Sequence, residues 1–535
     1  MNCYRGHGTR VRATGWAAGA ALLAYSVLGP TQAPARDAAA KPIVRYDARH
    51  DVSLPLREMA RTARPHSLRE FEMPEPGHGR PLPEGPPGKD PVVQQVYLPK
   101  VHTVKVLAFN AVREDEQNAQ VPDTNGAVGA TQFVEITNFD YAVYDKTTGK
   151  IVQQPTNTNT IFSGFGGLCE NTPPGDPVVI WDKLAQRWLV SYLNYSGNYA
   201  LCIAVSTGAD ATGSYNRYEY DYGGTLPDYP KYAVWPDAYY GTSNQNGGNA
   251  EPCAYDRTAM LAGNAAAAIC FTPAGVSSLL PSDVDGATPP PKGAPNHYLQ
   301  LGNSTDLLQE FDFHVDFAKP DKSTFTGPNN ISAPTFAEAC GGFSNCIPQP
   351  SNAEQVEGLG DRLMFRLAYR NFGDHEALVA AHNVAPGTGS TALSAMRWYE
   401  LRATPVGSSF ALYQAGTFQN SVNSLWMGSA AMDKKGDIAL GMSVSGDARD
   451  PSVWYTGRVA SDTLGKMETP SVAAKGSAVE TGDSQRWGDY SSMSVDPGDD
   501  CTFWYSQMYY NKKDGGLASE DWDTRIVAFK FDSCK

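Results

Sequence analysis

Five stretches of this chain repeat one pattern. A short polar motif opens onto an apolar run, then a tight turn, then a second apolar run. The copies are Gly175-Asp176-Pro177 before VVIWDKLAQRWLVSYL, Tyr229-Pro230-Lys231 before YAVWPDAYYGTSNQ, and Phe365-Arg366 in MFRLAYRNFGDHEALVAAH. The last two are Trp426-Met427-Gly428 in WMGSAAMDKKGDIALGMSVS and Arg486 to Tyr490 in RWGDYSSMSVDPGDDCTFWYSQMYY. A looser sixth copy is Asp123-Thr124-Asn125-Gly126 before AVGATQFVEITNFDYAVYD. Short apolar runs bounded by turn residues predict strands. The turns carry their own chemistry: in Asp145–Gly149, Asp433–Gly436 and Asp496–Gly498, Asp accepts local backbone bonds and Gly takes positive φ.

A strand-turn-strand unit repeated at roughly 40–50 residues predicts a β-propeller. The expected fold is all-β, a six- or seven-bladed β-propeller over residues 96–535. Units start near 123, 175, 229, 361, 424 and 486. The third span is too long for one blade and has room for a seventh or for large insertions. VHTVKVLAF, beginning at Val101, alternates and is expected to close the ring as an outer strand. Residues 305–311 and 354–360 are expected to hold a helical turn each.

Composition adds the setting. A net charge of −14 disfavours nucleic acid or an anionic membrane surface as partner. Arg5, Arg10 and Arg12 precede an apolar run from Trp16 to Leu28, and Ala33-Pro34-Ala35 offers a small-residue cleavage site. Residues 1–35 therefore read as a signal peptide and the protein as secreted, extracellular or periplasmic, with no membrane span. Residues 36–95, rich in Pro, Arg and His, read as a linker or propeptide. Without Cys3 the chain keeps eight cysteines, an even number that suits disulfides in an exported protein. Sequential pairing is expected: 169–202, 253–270, 340–346 and 501–534. A monomer is expected.

YPKYAVWPDAYY, FRLAYRNFGDHEALVAAHNV, RWYELR, SLWMGSAAMDKKGDIALGMSVS and RWGDYSSMSVDPGDDCTFWY make roughly residues 120–535 resemble a family of large secreted bacterial proteins. The resemblance implies a β-propeller, distantly sialidase-like, and supplies no reaction, because most members have no assigned activity. The sialidase Asp-box, Ser-x-Asp-x-Gly-x-Thr-Trp, is absent.

Aligning the copies sends Asp123, Asp176, Lys231, Arg366, Trp426 and Asp489 towards one funnel, with Asp228, Arg370, Arg486, Trp487 and Tyr490 close by. Carboxylates, cations and aromatic faces together suit a sugar. The expected catalytic residues are Asp176, Asp489 and Tyr490, the two carboxylates on opposed blades. The expected substrate-binding residues are Lys231, Arg366, Arg370, Trp426, Arg486 and Trp487. Against this, an Asp repeated at each strand start usually binds backbone amides. His314 and Asp316 share a strand face, and Gly373-Asp374-His375-Glu376 reads as a hairpin turn, not a zinc motif. Asp123-x-Asn125-Gly126 and Asp496–Asp500 are oxygen-rich segments of the kind calcium takes, although Val134 stands where a calcium loop needs Glu.

The function expected from the sequence is a glycoside hydrolase acting on an extracellular or cell-wall polysaccharide. The alternatives are a non-catalytic glycan-binding or adhesion propeller and a polysaccharide lyase using Tyr490 beside Arg486 or Lys231. Carboxyl groups about 5–10 Å apart across an open funnel would mark a hydrolase; a pair spent on backbone bonds would mark a binding protein.

Overall fold

The apolar runs pair with their neighbours in sequence, so the commonest connection is a short turn and the commonest sheet an antiparallel meander. The computed structural model describes residues 41–62, 82, 90–100, 102–113, 121–352, 354–387, 393–481, 485–512 and 522–535. These belong to one compact unit, Ala40–Lys535. Residues 1–40, which include the expected signal peptide 1–35, and residues 63–81 and 83–89 lie outside the described residues.

The first meander runs Asn125–Val128, Gln132–Ile136, Asp140–Asp145 and Ile151–Asn157. The second is Pro174–Asp182, Arg187–Asn194, Tyr199–Ser206 and Tyr215–Gly223. The third is Pro227–Val234, Tyr239–Gln245, Ala250–Tyr255 and Ala267–Cys270. The fourth is Leu280–Asp285, Asn296–Leu301, Leu307–His314 and Thr324–Ser332. It is fused to the fifth, Leu363–Asn371, Glu376–Ala385, Ala395–Ala403 and Ala411–Phe418, because Ser282–Asp285 pairs in parallel with Leu367–Arg370. The sixth is Ser424–Met432, Ile438–Gly446, Arg449–Arg458 and Ser471–Ala474. The seventh is Ser492–Val495, Phe503–Tyr510 and Trp522–Phe531, completed by the distant strand Thr103–Arg113. The architecture is mostly β and propeller-like.

The first strand of each meander packs against that of the next, and the seventh packs back against the first. Apart from the parallel pairing of the fourth and fifth sheets, neighbouring first strands exchange no ladder, and side chains take up some of their N–H groups. Ser492 Oγ accepts from Gly126 N at 2.7 Å, Ser429 Oγ from Met493 N at 3.0 Å, and Asn125 Oδ1 from Val179 N at 3.0 Å. Between meanders lie buried aromatic cores that include Trp188, Trp235, Trp398 and Trp426.

The seam between the first and seventh sheets is held by Glu135. This buried carboxylate accepts from Val112 N at 3.1 Å, from Thr524 Oγ1 at 2.8 Å and from Ser506 Oγ. Burial pushes its carboxyl up to about 7.

All four disulfides form as expected: Cys169–Cys202, Cys253–Cys270, Cys340–Cys346 and Cys501–Cys534. VHTVKVLAF does supply an outer strand, since Thr103–Arg113 pairs with Trp522–Phe531. The long third span contains the fourth meander.

Other expectations differ. Residues 305–311 and 354–360 hold the strands Leu307–His314 and Val356–Leu359, because each finds a strand partner that overrides local helical preference. Within the linker-like stretch 36–95, Ile43–Tyr46 adds an edge strand to the third sheet and Arg49–Val52 to the second. Arg45 grips Glu251 and Arg217 grips Asp51, each through two hydrogen bonds, so ion pairs hold a segment of low hydrophobicity. Further on, Gln94 N donates to Thr417 O at 2.9 Å.

Candidate functional site

The repeated polar motif is a backbone device. Just before or within the first four residues of five first strands a non-glycine residue sits at positive φ: Asp123 (46°), Asp176 (49°), Tyr229 (56°), Ser278 (48°) and Met427 (46°). Side chains other than Gly rarely adopt this conformation, and Asp tolerates it best of this set. In three of these strands the pairing register slips at this residue, as at a β-bulge. The turned N–H then points at the preceding sheet. There Asn138 Oδ1 accepts from Asp176 N at 2.9 Å, Asn244 from Ser278 N at 2.8 Å and Asn383 from Met427 N at 3.0 Å.

At two further joints the acceptor is a carboxylate, and at the second of these the donor, Asp489, has no positive φ and reaches across the closure to the first sheet. Asp176 Oδ2 accepts from Tyr229 N at 2.8 Å, and Asp123 Oδ1 accepts from Asp489 N at 2.7 Å. These bonds bring Asp123, Asp176 and Asp489 together, with one oxygen from each lying within 4.8 Å of the others. All three are buried. They come from the first, second and seventh sheets, which are consecutive around the ring. The expectation of opposed blades is therefore corrected: Asp176 and Asp489 are separated by one sheet, and that sheet contributes Asp123.

Positive charge surrounds the trio. Lys231 Nζ lies 3.5 Å from the centre of the Tyr229 ring and 3.9 Å from that of Tyr490, and donates to Pro230 O at 3.0 Å. Arg486 pairs with Asp489 at 2.9 Å and Glu357 at 3.0 Å. Arg362 pairs with Asp361 at 2.8 Å and lies over the Tyr229 ring at 4.7 Å. Tyr490 Oη donates to Pro177 O at 3.0 Å, so the hydroxyl expected to act in catalysis is engaged by backbone. Sequence reasoning did not single out Glu357, Asp361 or Arg362. The available signal was an Asp-Arg pair standing just before an apolar run, where other copies carry Gly, Asp or Pro.

Burial raises the Asp123 carboxyl well above its ordinary range, with Asp489 and Asp176 adding like charge. Burial also pushes Asp176 up to about 6; Lys231 opposes the shift and Asp489 adds to it. The Lys231 amine is pulled down to about 8 by burial, against the attraction of Asp176. Burial works against the Arg486 charge, but Asp489, Glu357 and Asp123 together hold it above normal. Asp123 and Asp176 are thus both held towards the protonated form by burial, with Lys231 and Arg486 supplying the opposing positive charge.

The remaining expected binders lie elsewhere. Arg366 reaches the channel midway along its strand and is spent on Asp283 at 2.9 Å and Asp285 at 2.6 Å. Arg370 lies four residues further on, bound to Asp500 through two hydrogen bonds at 2.8 and 2.7 Å. Trp426 and Trp487 are both 0% exposed and face each other with ring centres 4.9 Å apart, so neither offers a face to solvent. Asp228 is buried. His314 ends its strand exposed, and Asp316 caps the turn after it by accepting from Ala318 N and Lys319 N. His375 bonds Asp374 and stacks on Phe372 in a hairpin turn. The Asp496–Asp500 tip is tied down: Asp496 pairs with Lys146 at 2.7 Å and Asp499 accepts from Cys501 N and Thr502 N.

A cavity of about 30 Å³ in the channel is lined by residues that include Trp181, Lys183, Asp283, Asp285 and Arg366, and holds about one water. A second, of about 20 Å³, lies beside Asp361 and Arg362. Among the described residues, three groups gather potential ligands for a cation: Asp123 with Asp176 and Asp489, His297 with Glu310 and Asp312, and Glu251 with Cys253 and Cys270. In the last group both sulfurs are spent in a disulfide. No helix among the described residues is long and apolar enough to cross a membrane.

No protein-family model matches the chain, and no curated protein matches it. Solved structures give distant likenesses. The WD40 domain of SCAP from fission yeast aligns at 7% identity and a TM-score of 0.32, over 74% of this chain and 81% of that one. An exo-β-1,3-galactanase from Clostridium thermocellum aligns at 10% identity and 0.30, over 81% and 97%. A protein of unknown function from Dyadobacter fermentans aligns at 11% identity and 0.26, over 80% and 99%. These likenesses take in propeller and carbohydrate-active proteins, not sialidases in particular, and at such TM-scores they transfer no activity.

Proposed function

We propose that the protein is an exported, monomeric, seven-bladed β-propeller that binds a glycan without cleaving it. Each antiparallel meander counts as one blade, and the strand Thr103–Arg113 closes the seventh. The observation that carries the non-hydrolytic reading is the state of the expected machinery. Asp123 and Asp176 accept backbone N–H groups, Tyr490 donates to a backbone carbonyl, and all of these side chains are buried, while the two small cavities described above are lined by other residues. A hydrolase needs room for a sugar and a water between two carboxyl groups. The glycan class rests on export, on the acidic chain's unsuitability for nucleic acid, and on the resemblance to secreted bacterial propellers.

Hydrolysis is the second reading, and one observation favours it. Asp123 and Asp176 are carboxylates at joints where Asn serves three other sheets, so their charge or proton is retained at a cost in desolvation. The test is incubation of the purified protein with a polysaccharide panel, scoring retention on immobilised glycan and release of reducing ends. Retention with no product, unchanged in Asp176→Asn and Asp489→Asn, is the expected outcome. New reducing ends that vanish in either variant would establish the hydrolase instead, and unsaturated uronide products would establish a lyase.

A further inference from the structure

The outer half of the fourth sheet carries a second cluster of ligand-type residues, unrelated to the channel. His297 and Asp312 are direct cross-strand partners, and Glu310 stands two residues before Asp312 on the same strand. Alternation along a strand puts all three side chains on one face. Their ligand atoms lie within 4.8 Å of one another. His297 Nδ1 is 2.9 Å from Glu310 Oε1 and 2.8 Å from Asp312 Oδ1. Asn329, paired with Glu310 on the neighbouring strand, donates to Glu310 Oε2 at 2.6 Å and fixes that carboxylate. Phe410 stands edge-on to the imidazole at 4.9 Å and Trp235 at 6.1 Å, so the ring is walled on its apolar sides.

Two carboxylate oxygens converge on one imidazole nitrogen: Glu310 Oε1 and Asp312 Oδ1 both face His297 Nδ1, so a single proton is shared between two acceptors. A divalent cation replacing the proton would bind all three atoms at once.

We propose that His297, Glu310 and Asp312 form a site for a first-row divalent cation of the zinc class. Zinc takes imidazole nitrogen and carboxylate oxygen at about 2.0–2.2 Å, and tetrahedral ligands at that range stand about 3.4 Å apart. The atoms here need to spread by roughly half an ångström, a movement within side-chain rotation. The mixed nitrogen and oxygen set favours zinc over calcium or magnesium, which take oxygen alone. Asn329 acts in the outer shell, orienting Glu310. Asp312 has the most exposed side chain of the three, 33% against 12% for His297 and 4% for Glu310, so the remaining coordination position faces water on that side.

The test is calorimetric titration of the EDTA-dialysed protein with zinc chloride, beside His297→Gln and Asp312→Asn, with circular dichroism to establish folding. The expected result is one equivalent of zinc, with heat that varies with the buffer's ionisation enthalpy because a proton leaves the imidazole. Affinity falls at least tenfold in Asp312→Asn, whose position at the solvent edge spares the fold, and binding is lost in His297→Gln. No binding to the parent protein, or equal binding to parent and Asp312→Asn, overturns the proposal.

Discussion

Replacing Asp176 by Asn tests whether the carboxylate cluster is a burden on the fold. Asn already does the same backbone task at Asn138, Asn244 and Asn383, so the bond to Tyr229 N survives the change. What the change removes is a buried charge. The Asp176 carboxyl stands at about 6 in the fold, against about 3.9 in an unfolded chain. That difference corresponds to about 3 kcal/mol, the cost of holding the carboxylate ionised in the folded protein at pH 7. The sign follows from proton binding. Between about pH 4 and 6 the folded state holds the extra proton, so this residue lowers stability as pH rises through that window. Part of the gain is returned, because Lys231 loses the carboxylate that most supports its charge. A net gain of about 1–2 kcal/mol at pH 7 is expected. At about 2.1 cal/mol/K per residue, that raises the melting temperature by about 1–2 °C. The assay is thermal unfolding by scanning fluorimetry at pH 4, 5, 6 and 7. The gain is expected to vanish by pH 4, where the folded parent carries the proton and the ionised form no longer weighs on the fold. A variant that melts several degrees lower at pH 7, or a gain that persists at pH 4, would refute the reasoning.

The seam, the channel and the cross-links give further expected outcomes. Glu135→Ala orphans three donors at the junction of the first and seventh sheets and is expected to cost about 3–5 kcal/mol by urea titration. Arg366→Leu leaves Asp283 and Asp285 buried without their shared cation and is expected to cost a similar amount, about 3–5 kcal/mol, with partial recovery when Asp283→Asn is added. His382, fully buried against Tyr399 and Phe336, is held neutral well below its ordinary pKa by burial and by Arg397. Its unfolded form therefore takes up a proton that the folded form refuses, and stability is expected to fall below about pH 6.5, a slope that His382→Gln removes. Removing Cys501–Cys534 as a double serine variant opens a loop with a sequence separation of 33 and is expected to cost about 3–4 kcal/mol in chemical unfolding.

Much of the architecture was legible because a repeated strand-turn-strand pattern is long-range information written locally. The disulfides were legible for a related reason: sequential pairing keeps each bridge short, and Cys253 and Cys270 are cross-strand neighbours in one meander. The fourth meander lacked the signal, since Leu280–Asp285 starts without a Gly-Asp-Pro or Arg-Trp-Gly motif and pairs in parallel with the fifth sheet. Asp176, Asp489, Lys231 and Arg486 were named together and do lie together. The way they meet was hidden, because Asp123 joins Asp489 through ring closure between residues more than three hundred apart in sequence. The aromatic residues misled most. Trp426 and Trp487 stand within the repeated motif, where a sugar platform was expected, but the packing between adjacent sheets claims them. His297 had no motif at all; its cluster exists only in the cross-strand register.

The outer strand Thr103–Arg113 has a consequence for the order of assembly. During synthesis it emerges early, yet its hydrogen-bonding partner, Trp522–Phe531, is made more than four hundred residues later. The same delay applies on a smaller scale to Arg49–Val52 and Ile43–Tyr46, which wait for Tyr215–Gly223 and Ala267–Cys270. Growing chains therefore carry unpaired strand edges that only later residues can cover, and the seam clasps as a terminal event. A nascent chain in this condition is open to transport machinery and chaperones, and equally to aggregation. Truncation anywhere before Trp522 leaves a ring with a gap and an idle strand, so shortened products are expected to be cleared by proteases rather than to accumulate as smaller folded proteins.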